Sequence, residues 1–215
     1  MNNNMLRDQW KSLGVAFNSS SNIISDPETA IIAFLDSKEF PNDRKMISLI
    51  LAWLKEYSKF VHIERLKNLI ENLGSFELAV LSGISEKCIQ FGDFRWRSII
   101  KYVIKKNTGN PVFDIGESEY LISTKGLDLE FKKYGIIISK IQPERPEKIV
   151  TLSAIINSNK WIESRVLFGV NMRADIASVI RLNLASSAYK AAKILNCSYN
   201  SASRNWNDLM LVKFS

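Results

Sequence analysis

Apolar residues recur at helical spacing along most of the chain, and the breaks in that spacing divide it into short segments. Leu6 to Phe17 reads as a first short helix. Asn18-Ser19-Ser20-Ser21-Asn22 follows as a polar link too rich in cap-forming residues to continue it. Asp26-Pro27-Glu28 announces the next helix, with Asp26 as cap, Pro27 in the first turn, Glu28 near the positive end of the dipole, and Ala30, Ile31, Phe34 and Leu35 at core spacing. After Asn42-Asp43, the residues Met46, Ile47, Ile50, Leu51, Trp53, Leu54 and Tyr57 make a helix that is apolar on more than one side and therefore central to the N-terminal half. Ile63, Leu66, Leu69, Ile70 and Leu73 give a further helix ending near Gly74, and Phe76 to Leu81 another ending near Gly83. Short helices on short loops describe an all-α bundle. His62, the only histidine, falls at a helix start with no serine or cysteine pattern beside it and reads as a surface or capping residue.

Asp93 to Lys106 has two faces. Trp96, Ile99, Ile100, Val103 and Ile104 supply the apolar one, while Arg97, Lys101 and Lys105 recur every fourth residue on the other. The basic stripe reads first as solvated surface, and as a possible secondary contact to a phosphate backbone. Asn107-Thr108-Gly109-Asn110-Pro111 is the clearest break in the chain. Beyond it, Val112 to Ile115, Tyr120 to Ser123 and Ile136 to Ile141 read as short strands, with a helix from Leu127 to Tyr134 before the last. Pro143 and Pro146 mark a second linker, after which Lys148 to Ile156 and Trp161 to Phe168 look helical. The fold class expected is mainly α, with a helical domain over 1–106, a linker and small β element over 107–147, and a C-terminal helix-turn-helix, winged-helix-like domain over 148–215.

That last assignment rests on the run from Ser186 to Leu209. Ala188, Ala191, Ala192 and Leu195 share one helical face, and the small alanines allow another backbone to come close, while Lys190 and Lys193 point outward. Asn196-Cys197-Ser198 breaks the pattern: Asn196 tolerates the left-handed conformation that ends a helix, Cys197 is a small apolar plug, and Ser198 can cap the next helix. Ala202, Trp206 and Leu209 then repeat at inward-facing spacing, leaving Tyr199, Asn200, Ser201, Ser203, Arg204 and Asn207 on the open side. Hydroxyls, amides and an arginine are the groups that bond phosphates and base edges in the major groove. A second helix of such a motif delivers them from its N-terminal half. The candidate DNA-binding residues are these six with Ser187, Lys190, Ser198 and Arg173. Two packed helices of an ordinary bundle are the plain alternative.

The segment upstream, Arg165-Val166-Leu167-Phe168-Gly169-Val170-Asn171-Met172-Arg173-Ala174-Asp175-Ile176, resembles the lead-in of a group of bacterial helix-turn-helix proteins in which a phrase like FGVNxRADI opens the first helix of the domain. Phe131 to Ile138 is similar to that group's approach to the domain. The resemblance covers about the C-terminal third and implies DNA binding with no particular regulon. Members of the group run on into a β-wing, whereas here Met210 to Ser215 is enough for one strand only.

Composition adds a direction. Lys and Arg number 29 against 22 Asp and Glu over 215 residues, a formal charge of +7 and a pI near 9.4, which favours a polyanionic partner. Cys88 and Cys197 form no metal or redox spacing, so neither a disulfide framework nor a zinc site is readable, and a reducing, cytoplasmic setting is expected with no cofactor. No apolar run reaches the roughly 18 to 20 residues that span a bilayer, and the first residues lack the regions of a signal peptide, so no membrane partner is expected.

Three functions compete. The expected one is a sequence-specific double-stranded DNA-binding protein, a transcriptional regulator working as a homodimer. An adaptor or DNA-binding subunit of a toxin–antitoxin or phage-defence system, with a protein partner on its N-terminal helices, comes second. A metal-dependent nuclease with Asp114, Glu130 and Lys132 comes last, because Glu130-Phe131-Lys132 fits an amphipathic helix as well as a strand. The chain therefore reads as a binding protein without a catalytic residue.

Overall fold

The computed structural model describes residues 3–17, 23–37, 40, 42–106, 112–113, 115–116 and 119–212, and these are mainly helical. The N-terminal half comprises α1 (Asn3–Ser12), α2 (Pro27–Asp36), α3 (Arg44–Tyr57), α4 (Ile63–Leu69), α5 (Ser75–Gln90) and α6 (Arg97–Lys106). Two short helices follow, α7 (Glu119–Lys125) and α8 (Leu129–Lys132), then α9 (Leu152–Ser158), α10 (Lys160–Phe168), α11 (Met172–Arg181), α12 (Ala188–Leu195) and α13 (Tyr199–Leu211). The polar link 18–22 and the break at 107–111 lie outside the described residues.

Local capping chemistry sets the early helices where the sequence places them. The Asp26 carboxylate accepts the Thr29 N–H at 2.9 Å to start α2, and Asp43 accepts that of Met46 at 2.9 Å to start α3. Helix α3 is the hub: Met46, Ile47, Leu49, Ile50, Leu51, Trp53 and Leu54 are all buried, and the Trp53 indole N–H donates to the Leu13 carbonyl at 2.7 Å. Trp10 meets Trp53 edge-on, with ring centroids 5.8 Å apart.

Several expectations need correction. The first helix ends at Ser12 rather than Phe17, because Gly14 takes a positive φ of 93° and turns the chain so that Val15 forms a lone antiparallel bridge with Ile149. Gly83 does not end a helix, since α5 runs through it to Gln90. The ring of Phe131 packs where a Cβ would sit, 2.6 Å from its Cε1, so the glycine serves close packing rather than termination. The segment read as a strand at Tyr120 to Ser123 lies in α7, held by local bonds such as Thr124 Oγ1 to the Tyr120 carbonyl at 2.7 Å. Of the small β element, only isolated bridges exist among the described residues: Phe113 with Ile136 and Leu127 with Ser139, besides the one at Val15. Helix α8 is shorter than the expected Leu127 to Tyr134, and α9 starts four residues later than Lys148. Met210 and Leu211 finish α13 instead of beginning a wing strand, and 213–215 lie outside the described residues.

Two hydrophobic clusters result. The larger runs from Leu6 to Ile162 and takes in Phe131, Ile136, Ile138 and Ile141 alongside the N-terminal helices. The smaller is built from Trp161, Ile176, Ala177, Val179, Ala191, Ala192, Leu195, Ala202 and Leu209. Asn159 sits where they meet, fully buried: its side-chain N–H groups donate to the carbonyls of Ser12 and Ser25, both at 2.9 Å, while its Oδ1 caps α10 at the Trp161 N–H. No helix among the described residues is long and apolar enough to cross a membrane.

Candidate nucleic-acid interface

Helices α11, α12 and α13 enclose the smaller cluster, and each begins on a side-chain cap. Asn171 Oδ1 accepts the Ala174 N–H at 3.1 Å, Ser187 Oγ that of Lys190 at 3.3 Å, and Ser198 Oγ that of Ser201 at 3.3 Å. Between α12 and α13 lie Asn196, Cys197 and Ser198. Asn196 takes φ 49° and ψ 52°, the left-handed conformation that stops α12, and the Cys197 N–H returns to the Ala192 carbonyl at 3.0 Å. A short side chain at Cys197 lets it lodge half-buried against the cluster.

The alanines of α12 do what their size suggests: Ala191 is fully buried and Ala188 and Ala192 nearly so, together with Leu195. On α13, Ala202 and Leu209 are fully buried. Trp206 departs from expectation, because it is only partly buried and packs at the margin, whereas Trp161 from α10, 2 % exposed, supplies the large ring at the centre of the cluster.

The open side of α13 carries Tyr199, Asn200, Arg204 and Asn207, all exposed, with Ser201 and Ser203 half-buried between them. Ser198, at the cap, is exposed as well, so the first turn of α13 presents its free N–H groups to solvent. Lys190 is exposed on α12, while the Ser187 hydroxyl is occupied as a cap. Lys193 lies over the Tyr189 ring at 4.7 Å. From Ser186 to Val212 the charged residues are Lys190, Lys193, Arg204 and Asp208. That single carboxylate sits 4.0 Å from Arg173, which is exposed on α11 beside the Phe168 ring. The surface is consequently cationic and rich in amides. Arg97, Lys101 and Lys105 are likewise exposed, but on α6, in the other half of the molecule.

Sequence reasoning missed a buried ionic cluster that joins the two halves. Arg165 of α10 is fully buried and donates to Glu28 at 2.9 and 2.7 Å, to Asp175 at 3.1 and 2.7 Å, and to the Phe60 carbonyl at 2.6 Å. Arg65 of α4 bonds Asp26 at 2.5 and 3.1 Å and Glu28 at 2.8 Å, with its guanidinium 5.2 Å from the centre of the Trp161 ring. His62 is a correction: its side chain makes no cap bond and instead faces Asp175, Nδ1 to Oδ2 at 2.6 Å.

Burial is the largest single influence on Asp26 and Asp175 and would push both up, but the surrounding positive charges and hydrogen bonds together outweigh it, led by Arg65 at Asp26 and by Arg165 at Asp175, and hold both carboxyls below the usual range. Glu28 goes the other way: burial, helped by the charge of Asp26, raises it against the pull of Arg165 and Arg65. Every group facing its two oxygens is nevertheless an N–H donor, including the His62 backbone at 2.6 Å, so the cluster is built around its ionised form. Its interior position gives the cluster a structural role.

One signal for this cluster was present in the sequence. Glu28 lies on the same face of α2 as Ile31 and Leu35, Arg165 follows Trp161 by one turn, and Asp175 stands between Ala174 and Ile176. A charge inside an apolar stripe asks for a buried partner. The phrase that carries the family resemblance divides accordingly. Phe168 packs, Gly169 turns at φ 78°, Asn171 caps, Asp175 bonds Arg165, and Arg173 extends its charge into solvent.

Of the nuclease candidates, Glu130 is engaged by Lys87 Nζ at 3.0 Å and by Gln90, and it is lowered to about 2 because its hydrogen bonds together, that from Lys87 foremost, outweigh the burial that would raise it. Lys132 is exposed, and Asp114 lies outside the described residues. No family model, curated protein or solved structure matches the chain.

Proposed function

We propose that the chain binds double-stranded DNA with α13 as the reading helix and acts as a transcriptional regulator. The observation that carries the reading is the joint between α12 and α13. A left-handed Asn196 and a capping Ser198 set two packed helices at a three-residue turn, and the second helix begins in solvent with Tyr199, Asn200 and Arg204 on its open side. Amides and an arginine in the first two turns suit base edges, and the exposed N–H groups of the first turn suit a phosphate. Lys190 and Lys193 on α12 suit the flanking backbone.

A single reading helix covers few base pairs. The chain therefore works as a homodimer with half-sites about one helical turn, roughly 34 to 36 Å, apart on the duplex. Selection from a random duplex library tests the reading directly, and a sequence with two related half-sites is the expected outcome. Affinity for the selected duplex, followed by fluorescence anisotropy, should fall with salt with a log–log slope on the order of −4 or steeper. Failure to enrich any sequence, together with a slope near zero, rejects the proposal.

A further inference from the structure

Away from α13, a cleft of about 470 Å³ opens between α4, the start of α6 and the link that precedes α11. Its walls include His62, Glu64, Phe94, Arg97, Lys101 and Val170. Charge is unevenly spent there. Glu64 is taken by Lys67 at 2.8 Å, and a further lining arginine, Arg95, is taken by Asp93 at 2.7 Å. Arg97 and Lys101 have no carboxylate within ion-pair distance among the described residues, and both are exposed. One helical turn separates them, so they stand on one face of α6, and both line the cleft. Beside them the Phe94 ring is 58 % exposed, with the Arg97 guanidinium 4.7 Å from its centre.

We infer that this cleft is an effector site for a small organic phosphate carrying an aromatic ring, of the nucleotide class. Its volume lies in the range of small-ligand sites, which run from roughly 300 to 1,000 Å³. Arg97 and Lys101 line the cleft, whereas Lys105, the next cation along α6, does not, so two of the three cations border a concavity. The phosphate binds Arg97 and Lys101, and the ring stacks on Phe94. The lining reaches the DNA-proposed half of the molecule by two routes: His62 bonds Asp175 of α11, and Val170 precedes the Asn171 cap of the same helix.

Calorimetric titration of the full chain without DNA tests the site independently of the DNA reading. ADP should bind with a dissociation constant below about 1 mM, pyrophosphate more weakly, and adenosine not measurably. Arg97→Ala with Lys101→Ala should weaken both anions at least about tenfold, which is roughly 1.4 kcal/mol or more. Phe94→Ala should weaken ADP about threefold or more and leave pyrophosphate unchanged. These side chains are exposed, and circular dichroism and melting of each variant confirm that the fold is retained. Absence of saturable heat from ADP and pyrophosphate overturns the inference, as does binding that survives the double substitution. If neither anion binds while the double variant loses affinity for duplex DNA, the inference also falls and the two cations belong to a DNA contact.

Discussion

Replacing Arg165 by methionine probes what joins the two halves. Methionine keeps most of the volume and removes the charge. Asp26, Glu28 and Asp175 face Arg65 and Arg165, a balance of −1 with His62 neutral and 0 with it charged. Loss of Arg165 shifts that balance by a further unit and deletes the five hydrogen bonds it donates, one of them to the Phe60 carbonyl. Removing one partner of a buried pair costs about 3 to 5 kcal/mol. The idealised desolvation of a stranded carboxylate is larger, but such a group takes up a proton instead, which limits the loss. In a chain of this size the cost corresponds to roughly 6 to 20 °C in melting temperature.

Urea unfolding followed by tryptophan fluorescence measures it, with Trp161 close to the affected cluster. A second variant separates charge from packing. Adding Glu28→Gln to Arg165→Met removes the carboxylate that the first change strands, so the double variant should be less destabilised than the sum of the singles by about 1 kcal/mol or more. Arg165→Met within about 1 kcal/mol of wild type would refute the reasoning, since no buried charge left unpaired is that cheap.

Trp161→Ala should destabilise the chain by about 3 to 5 kcal/mol and Trp206→Ala by roughly 1 to 2 kcal/mol, because only the first is enclosed; equal losses in chemical unfolding would contradict the burial. Asn200→Ala and Arg204→Ala, at exposed positions, should leave melting unchanged and cost about 1 to 3 kcal/mol in binding to the selected duplex, so variants that bind it like wild type would remove α13 as the reading helix. Acid should unfold the chain through Asp26 and Asp175: both are held below their usual values, so their stabilisation is full above about pH 4 and is lost as pH falls through the folded values. Asp175→Asn should flatten the acid limb of a pH–stability curve, and an unchanged limb would count against the assignment.

What the sequence made legible was local. The starts of α2 and α3 follow from Asp26 and Asp43, and the joint at Asn196 and Ser198 follows from their side chains, because a cap needs partners only three residues away. What it hid depended on distant residues. Gly83 looks like a terminator until Phe131 is seen filling the space a Cβ would take. Tyr120 to Ser123 has strand-forming residues, but a strand needs a neighbour at the right register, and without one the local bonds of α7 prevail. Trp206 sits at the right helical phase, yet the place it was expected to fill is taken by Trp161 from another helix. Glu28 and Arg165 are 137 residues apart, beyond the reach of any local pattern.

These long-range ties bear on how the proposed reading helix is held. The side chain of Asn196 donates to the Asn68 carbonyl at 3.2 Å, and that of Asn68 returns a bond to the Asn196 carbonyl at 3.2 Å, so the turn before α13 is clasped to α4. Arg165 and Asp175 fasten α10 and α11 to α2 and α4 a short distance away. Exposed amide bonds alone are weak, and a buried cluster alone leaves the far end of α13 free to tilt. Together they hold the helices around the smaller cluster to the N-terminal half through two ties, one at the turn before α13 and one through α10 and α11. If α13 reads DNA as proposed and the N-terminal half dimerises, the separation of the two copies of α13 follows from the ionic cluster as much as from α13 itself, and half-site spacing would report on residues buried far from the duplex.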